Sequence, residues 1–125
     1  MKKSNAHIEL GKEGEDIAVK FLLSKNHKIL ARNWRISHLE LDIVTKFEDL
    51  IIFVEVKTRS NAAFGMPETF VTHKKQKHIA KAAQAYLNKY KIKSEIRFDI
   101  ISIILNEKHR KLKYIKEAFF PFVTY

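Results

Sequence analysis

The chain has 125 residues, of which 46% are hydrophobic and 30% charged, a composition typical of one compact domain with a single core. It carries 24 Lys and Arg against 14 Asp and Glu, so the formal charge of +10 makes a polyanion, above all nucleic acid, the expected partner. Because cysteine is absent, disulfides and thiolate metal sites are excluded.

The N-terminal segment is basic but lacks the apolar core of a signal peptide, and no apolar run reaches membrane-spanning length. We therefore expect a cytoplasmic protein formed by one domain over residues 1–125, of which 1–7 are a loose lead-in. The six histidines are scattered, and neither a Walker loop nor a dinucleotide-binding glycine pattern occurs. A zinc enzyme and the use of ATP or NAD are therefore not supported.

Hydrophobic residues at helical spacing predict a first helix over residues 8–25. Two glycines interrupt it, Gly11 and Gly14, and each costs about 1 kcal/mol relative to alanine. They indicate either a close approach of this part of the helix to other backbone or to a phosphate, or a frayed helix start. Glu15 lies at the margin of the apolar stripe and can turn toward the sheet. Asn26 can end the helix in the left-handed conformation.

Strand patterns follow at residues 28–34 and then twice within residues 40–57, where two apolar strands are joined by a short acidic turn. Side chains alternate between the two faces of a strand, so the charged residues of each strand share one face. The expected sets are Glu40 and Asp42 opposite Leu41 and Ile43, then Glu55 and Lys57 opposite Val54 and Val56.

The rest of the chain predicts a connection, a second helix and two further strands. Residues 58–69 are the most loop-like segment and form either a mobile flap or an ordinary connection. The second helix spans residues 72–91, with Thr72 as its N-cap. Strands over 96–105 and about 111–118 follow, and the aromatic tail from residue 119 covers the core or lies in a dimer contact. Together these elements predict an α/β domain with a mixed sheet of about five strands flanked by helices.

Three carboxylates and a lysine stand inside the otherwise apolar strands at 40–57, and ionised groups in such a setting pair, bind a metal or perform chemistry. Asp42 and Glu55 can place oxygens around one Mg²⁺ or Mn²⁺ ion, with the carbonyl of Val56 as a further ligand. Lys57 can orient or deprotonate the attacking water, or stabilise the transition state of phosphodiester hydrolysis. Glu15 would complete the ligand set from the first helix.

These acids also have purely structural interpretations. Asp42, Glu55 and Lys57 can form a cross-strand cluster of salt bridges. Glu15 can be a first-turn acid that the helix dipole favours. Glu40 is either a second metal ligand or an ion-pair partner for a nearby Arg35 or Lys57.

The basic residues around these strands also have both a functional and a structural interpretation. Lys75 of the second helix either assists or replaces Lys57, or extends along the helix surface to water. Candidate phosphate contacts, each of which can also be an ordinary surface charge, are Arg32, Arg35, Arg59, Lys74 and Lys75. Arg97 and Asp99 share a strand face and predict a structural ion pair near the site.

A wider series of segments surrounds these residues: G-K-E-G-E-D-I-A (11–18), R-N-W-R (32–35), E-L-D-I-V (40–44), F-V-E-V-K-T-R (53–59), F-G-M-P-E (64–68), K-Q (75–76) and R-F-D-I-I (97–101). Over about residues 8–119 this series resembles the YraN-like family of small bacterial proteins. Asp42 followed by Glu55-Val56-Lys57 is similar to the PD-(D/E)xK superfamily of metal-dependent nucleases, which includes restriction endonucleases and archaeal Holliday-junction resolvases. The resemblance implies a restriction-endonuclease-like three-layer fold with a metal site, although no proline precedes Asp42 here.

Three functions follow from these patterns. The first is a Mg²⁺- or Mn²⁺-dependent DNA endonuclease, either structure-selective or resolvase-like. A resolvase would favour a homodimer, although the sequence does not demand one. The second is a nucleic-acid-binding protein that keeps a nuclease scaffold with little or no catalytic activity. The third is a module that docks a protein partner through the aromatic tail and residues 58–69.

Overall fold

The computed structural model of the protein describes residues 5–61 and 71–120. Two helices and five strands follow in the order α1 (Asn5–Ser24), β1 (Lys28–Ile36), β2 (Leu39–Phe47), β3 (Leu50–Arg59), α2 (His73–Lys89), β4 (Glu95–Leu105) and β5 (Arg110–Ile115). Within these two stretches no helix is long and apolar enough to cross a membrane.

The five strands form one mixed sheet in which they lie in chain order. Neighbouring strands are antiparallel except for β3 and β4, which run parallel because α2 carries the chain back along the sheet between them. The helices cover opposite faces: Phe53 packs with Ile79 of α2 on one face, and Ile43 packs with Leu22 of α1 on the other. The predicted α/β class, a mixed sheet of about five strands flanked by helices, is confirmed.

Helix α1 begins at Asn5, earlier than the predicted start at residue 8, so the predicted loose lead-in is wrong for residues 5–7. Asn5, Ala6 and His7 include no glycine or proline, the residues that most oppose helix extension. The lead-in prediction for residues 1–4 lies outside the described residues. The helix ends as predicted, since Asn26 has a φ of 69°.

The elements after β3 follow the prediction, except that α2 ends at Lys89 rather than at residue 91 and that β5 ends early. Thr72 caps α2, because its hydroxyl accepts a hydrogen bond of 3.2 Å from the N–H of Lys75. Strand β5 ends at Ile115 rather than near residue 118. The chain turns there, with Glu117 in the left-handed region at a φ of 50°.

The described part of the aromatic tail divides between core and surface, since Phe119 covers the core and Phe120 is 54% exposed. Phe119 is buried, and its ring stacks on that of Phe98 with centroids 5.2 Å apart. The remainder of the tail, residues 121–125, lies outside the described residues. Most of the predicted flap or connection, residues 58–69, also lies outside the described residues. Its first two residues belong to β3, residues 60 and 61 follow that strand, and residues 62–70 are not described.

One predicted face assignment is wrong: Leu41 and Ile43 do not share a face of the sheet. Leu41 belongs to the core under α2, and Ile43 belongs to the core under α1. The paired strand β1 reverses its faces at Asn33, whose φ is 49°, so that Arg32 bonds to α1 while Trp34 packs on α2. Arg32 pairs with Ile43 and Trp34 with Leu41, and β2 therefore follows the reversal. The residue of β2 at the reversal is Asp42, which lies between Leu41 and Ile43.

Helix α1 packs closely on β3 at Gly14. A Cβ added to Gly14 would lie 2.0 Å from Oγ1 of Thr58, whereas a Cβ added to Gly11 would meet nothing within 4 Å. Close approach to the sheet therefore explains the glycine at position 14, and the alternative of a frayed helix start is not needed for it. Packing does not explain Gly11.

The two glycines give a matched pair of variants. Gly14→Ala is expected to destabilise the protein by about 1–3 kcal/mol, because the helix must move away from Thr58. Gly11→Ala is expected to stabilise it by up to about 1 kcal/mol, because alanine favours the helix and nothing crowds the new methyl group. Urea unfolding of both variants measures the difference, and equal stabilisation by both would contradict the close packing.

Candidate active site

Strands β2 and β3 separate at one end of the sheet, and the separation places Asp42 beside the main chain of β3. The ladder between the two strands ends at the pair Ile43 and Val54. Just beyond it, the N–H of Val56 donates a 2.9 Å hydrogen bond to Oδ2 of Asp42. The N–H and C=O of one strand residue point to the same side, so the carbonyl of Val56 also faces β2. Asp42 and the carbonyl of Val56 therefore meet where β2 and β3 separate, and we call this place the fork.

Glu55 follows Val54, the last residue of this ladder on β3, and is only 5% exposed. Its carboxyl group donates a hydrogen bond to the carboxylate of Asp42. On its other side, Nζ of Lys75 approaches Oε1 of Glu55 to 3.4 Å. Lys75 is in the first turn of α2, which the Thr72 cap fixes. The side chain of Lys75 thus reaches the acidic pair, and it does not simply extend away to water.

Burial perturbs the titration of both acids. Burial, followed by the charge of Asp42, raises the pKa of Glu55 to about 8, while the charges of Lys75 and Lys57 oppose the shift. Burial also raises the pKa of Asp42, against the hydrogen bond from Val56. Two neighbouring carboxyl groups that share a proton at neutral pH are a site where a divalent cation can take the proton's place.

Glu15 reaches the same site from α1, as its place on the helix predicted. Its Oε1 accepts hydrogen bonds from Nδ2 of Asn33 at 2.8 Å and from Nε of Arg32 at 3.3 Å. Burial raises the pKa of Glu15, and the charge of Asp42 adds to the shift. Glu15 is therefore close enough to Asp42 to respond to its charge.

The support that Asn33 gives to Glu15 was not predicted from the sequence. Asn33 holds the left-handed backbone conformation that reverses β1, and its amide holds the carboxylate of α1. The available signal was an asparagine inside an otherwise regular strand pattern, since asparagine tolerates positive φ better than most residues.

A cavity of about 580 Å³ joins these groups, and it opens between the start of α1 and the ends of β1, β2 and β3. The predicted site residues that line it are Glu15, Asp42, Val56, Lys57 and Arg59. Glu55 is buried and is not among the described residues that line the cavity. The structure therefore brings Asp42 and Lys57 into one solvent-accessible space, with Glu55 bonded to the first of them.

The donor set fits a hard divalent cation that keeps several of its waters. Among residues 5–61 and 71–120, no group of three His, Cys, Asp or Glu side chains has the geometry of a metal cage. Asp42 and Glu55 are nevertheless in direct contact, and the carbonyl of Val56 faces the same fork. Mg²⁺ is commonly bound by one or two carboxylates with water completing its shell, so these residues could hold such an ion.

The family of the chain follows from comparison with known sequences. The family model described as "Uncharacterised protein family UPF0102" matches residues 14–103, which include every acidic and basic residue of the fork. The chain belongs to UPF0102. A UPF0102 protein of Phocaeicola vulgatus is 43% identical over 115 residues, covering 92% of this chain and 95% of the relative. A UPF0102 protein of Bacteroides thetaiotaomicron is 46% identical over the same length with the same coverage. A third, from Dictyoglomus turgidum, is 46% identical over 114 residues, covering 89% of this chain and 97% of the relative. The resemblance to the YraN-like family is confirmed at this level.

In this UPF0102 chain, three of the five predicted phosphate contacts are engaged in ion pairs: Lys75 with Glu55, as described above, and two arginines. Arg32 pairs with Oδ1 of Asp16 at 2.7 Å and with Oε1 of Glu15 at 3.3 Å, so it joins two consecutive acids of α1 to β1. Arg35 pairs with Glu40 at 3.3 Å, which favours the ion-pair interpretation of Glu40 over metal ligation. Contact of these arginines with phosphate stays a prediction.

The other two predicted phosphate contacts are both exposed, but only one of them lines the cavity. Arg59 is exposed, lines the cavity and donates to the carbonyl of Thr58. Lys74 is exposed at the start of α2, next to the Lys75 that reaches Glu55. These two positions flank the fork, and their contact with phosphate also stays a prediction.

The predicted ion pair of Arg97 and Asp99 is confirmed, but its predicted position near the site is wrong. Nε and Nη2 of Arg97 each donate to Asp99 at 2.8 Å. The hydroxyl of Tyr114 donates to the same carboxylate, and the ring of Tyr114 packs on Phe21 near the C-terminal end of α1. Asp99 pairs with Val54 and points to the α1 face, away from the acidic pair, because neighbouring residues of parallel strands share faces.

Proposed function

We propose that this UPF0102 protein is a divalent-metal-dependent endonuclease that hydrolyses phosphodiester bonds of DNA, with Mg²⁺ or Mn²⁺ as its cofactor. The observation that carries the proposal is the contact of Asp42 with buried Glu55 at a fork whose cavity also holds Lys57. The order of these residues is similar to that of the PD-(D/E)xK nucleases. The charge of +10 supports a polyanionic substrate, and the expected location is the cytoplasm.

Each residue of the fork would have a separate role in hydrolysis. Asp42, Glu55 and the carbonyl of Val56 would hold the ion, which when bound activates a water and offsets charge on the phosphate. Lys57 lines the same cavity and would orient that water or stabilise the charge that builds on the phosphoryl oxygens. Lys75 holds the carboxylate of Glu55 in place once its proton has left.

Glu15 would act from the opposite wall of the cavity. Asn33 and Arg32 fix its carboxylate, so it is positioned before substrate arrives. Its raised pKa makes it a better proton acceptor than an exposed glutamate at the same pH. We assign to it the orientation of water beside the phosphate.

The proposal is tested by incubating duplex, single-stranded and branched DNA with the protein and Mg²⁺ or Mn²⁺, with and without EDTA. Cleavage that requires the metal is expected. Preference for a symmetric branched substrate would support a resolvase-like role, which would call for a homodimer. No cleavage of any substrate with either metal would contradict the proposal.

A second function has a specific observation in its favour. The described residues offer two carboxylates in contact rather than a group of three, and the chain has a large positive charge. A nucleic-acid-binding protein that keeps this scaffold with little catalysis would share both properties. Binding that weakens steeply with salt, without metal-stimulated cleavage, would favour this second function.

The stability of the metal-free protein should depend on pH through Glu55. Its pKa is raised from 4.5 to about 8 in the folded state, so the folded protein binds more protons than the unfolded chain between those values. The stability that the proton of Glu55 contributes is therefore fully present below pH 4.5 and is lost as the pH rises through about 8. Glu55→Gln removes this titration, so the variant should melt at a higher temperature than wild type above pH 8 and at a similar temperature near pH 4.5.

Thermal unfolding in EDTA across this pH range measures the difference. Glu107→Gln, at an exposed acid beyond β4, is the matched control and should follow the wild-type profile. Parallel pH profiles for wild type and Glu55→Gln would show that Glu55 does not bear the buried proton.

A further inference from the structure

The cavity at the fork has an apolar wall as well as a charged one. Ile8, Leu10 and Gly11 of α1 form an apolar part of its lining, next to the charged Lys12 and Glu15 of the same helix. Leu10 leans on the core beneath α1, whereas Ile8 is 52% exposed. An aliphatic surface therefore lies within the same space as the groups proposed to hold a cation and a phosphate.

Exposure alone does not make Ile8 unusual, since single exposed apolar residues are common on protein surfaces. Leu23 near the other end of α1 is also 52% exposed, but it does not line this cavity. What distinguishes Ile8 is its position beside the fork. Leu23 therefore serves as a matched control for any change made at Ile8.

Gly11 is a second and independent observation on the same wall. A glycine within a helix costs about 1 kcal/mol relative to alanine. At Gly14 close contact with Thr58 requires the glycine, but a Cβ at Gly11 would meet nothing within 4 Å. The space next to Gly11 is part of the cavity, so a side chain there would narrow the cavity without disturbing the packing of the protein.

The base of a nucleotide has apolar faces and a charged phosphate attached through the sugar. In a paired duplex the faces of the bases are stacked on their neighbours, and only an unpaired or displaced nucleotide can lay a base against an aliphatic wall. We infer that the cavity takes one unpaired nucleotide, with its phosphate toward Asp42 and Lys57 and its base against Ile8, Leu10 and Gly11. The inference rests on the proposed nucleic-acid function and makes unpaired DNA strands the substrate class.

Binding in EDTA tests this inference without any hydrolysis. The probe is a short fluorescently labelled single-stranded oligonucleotide, compared with a blunt duplex of the same length by fluorescence anisotropy. Wild type should bind the single strand about tenfold more tightly than the duplex. Gly11→Leu should weaken single-strand binding about tenfold and leave duplex binding unchanged, while its thermal stability rises because leucine favours the helix.

Two further variants complete the design. Ile8→Ser should lower single-strand affinity in the same direction as Gly11→Leu, and Leu23→Ser should change neither affinity. Equal affinity of wild type for the two DNA forms would overturn the inference. So would a Gly11→Leu protein that binds the single strand as wild type does, or equal effects of the serine variants.

The failure of this inference and of the proposed function can be told apart. If no DNA is cleaved but Gly11→Leu selectively weakens single-strand binding, the hydrolytic proposal is wrong and the nucleotide site stands. If cleavage depends on Asp42 but duplex and single strand are bound and cut equally by wild type and Gly11→Leu, the hydrolytic proposal stands and the nucleotide site is wrong.

Discussion

Asp42→Asn and Lys57→Ala should each lower metal-dependent DNA cleavage by about a thousandfold, if the fork carries the chemistry. Asp42 is the carboxylate that both faces the cavity and contacts Glu55, so its loss would remove a ligand of the proposed ion. Lys57 lines the same cavity, as Lys12 does, and its loss would remove the ammonium group that we expect to face the phosphate. Initial cleavage rates with a labelled substrate at saturating Mn²⁺ measure both effects.

Glu40→Gln is the control for this pair, because Glu40 also lines the cavity but is paired with Arg35. It should change the cleavage rate by less than about tenfold. All proteins should be purified in parallel and shown to fold by circular dichroism. Cleavage by Asp42→Asn or Lys57→Ala at the wild-type rate would mean that the activity belongs to a contaminant or to another site.

Asp99→Ala is expected to cost about 3–5 kcal/mol of stability, the largest loss that we expect from one substitution. The carboxylate of Asp99 is fully buried and accepts hydrogen bonds from Arg97, from the hydroxyl of Tyr114 and from the N–H of Glu117. Without it, the guanidinium of Arg97 would remain partly buried with no counter-charge. Because a whole domain is stable by about 5–15 kcal/mol, this loss should be obvious in urea unfolding.

Asp16→Ala is the matched control, since Asp16 forms an ion pair with Arg32 but is 63% exposed on its side chain. It should cost less than about 1 kcal/mol. The double variant Arg97→Met with Asp99→Leu should recover much of the lost stability, because neither buried charge then remains. A cost for Asp99→Ala no larger than that for Asp16→Ala would contradict the structural role of this ion pair.

Local patterns were sufficient to predict the elements of the fold. Helical periodicity predicted α1 and α2 and indicated that Glu15 can face the sheet. Thr72, as an N-cap residue, predicted the start of α2. Alternation of side chains placed Glu55 away from Val54. These features depend on neighbours within a few residues, which is the range over which sequence patterns act.

The geometry of the fork depends on contacts between distant segments, and the sequence did not reveal it. Regular alternation misplaced Leu41 relative to Ile43, because the left-handed conformation at Asn33 reverses β1 and β2 together. The pairing of Lys75 with Glu55 depends on how α2 crosses the sheet. The ion pair of Arg97 and Asp99 was predicted as a pair, but its location depends on the position of α1. Register and helix placement are tertiary properties.

The most direct measurement is a calorimetric titration of the protein with Mn²⁺ at a pH above 8, where the acidic pair is free of its proton. Wild type should bind the ion at a saturable site, Glu40→Gln should bind it similarly, and Asp42→Asn should show no saturable binding. Absence of binding by wild type, or undiminished binding by Asp42→Asn, would contradict a cation site at the fork.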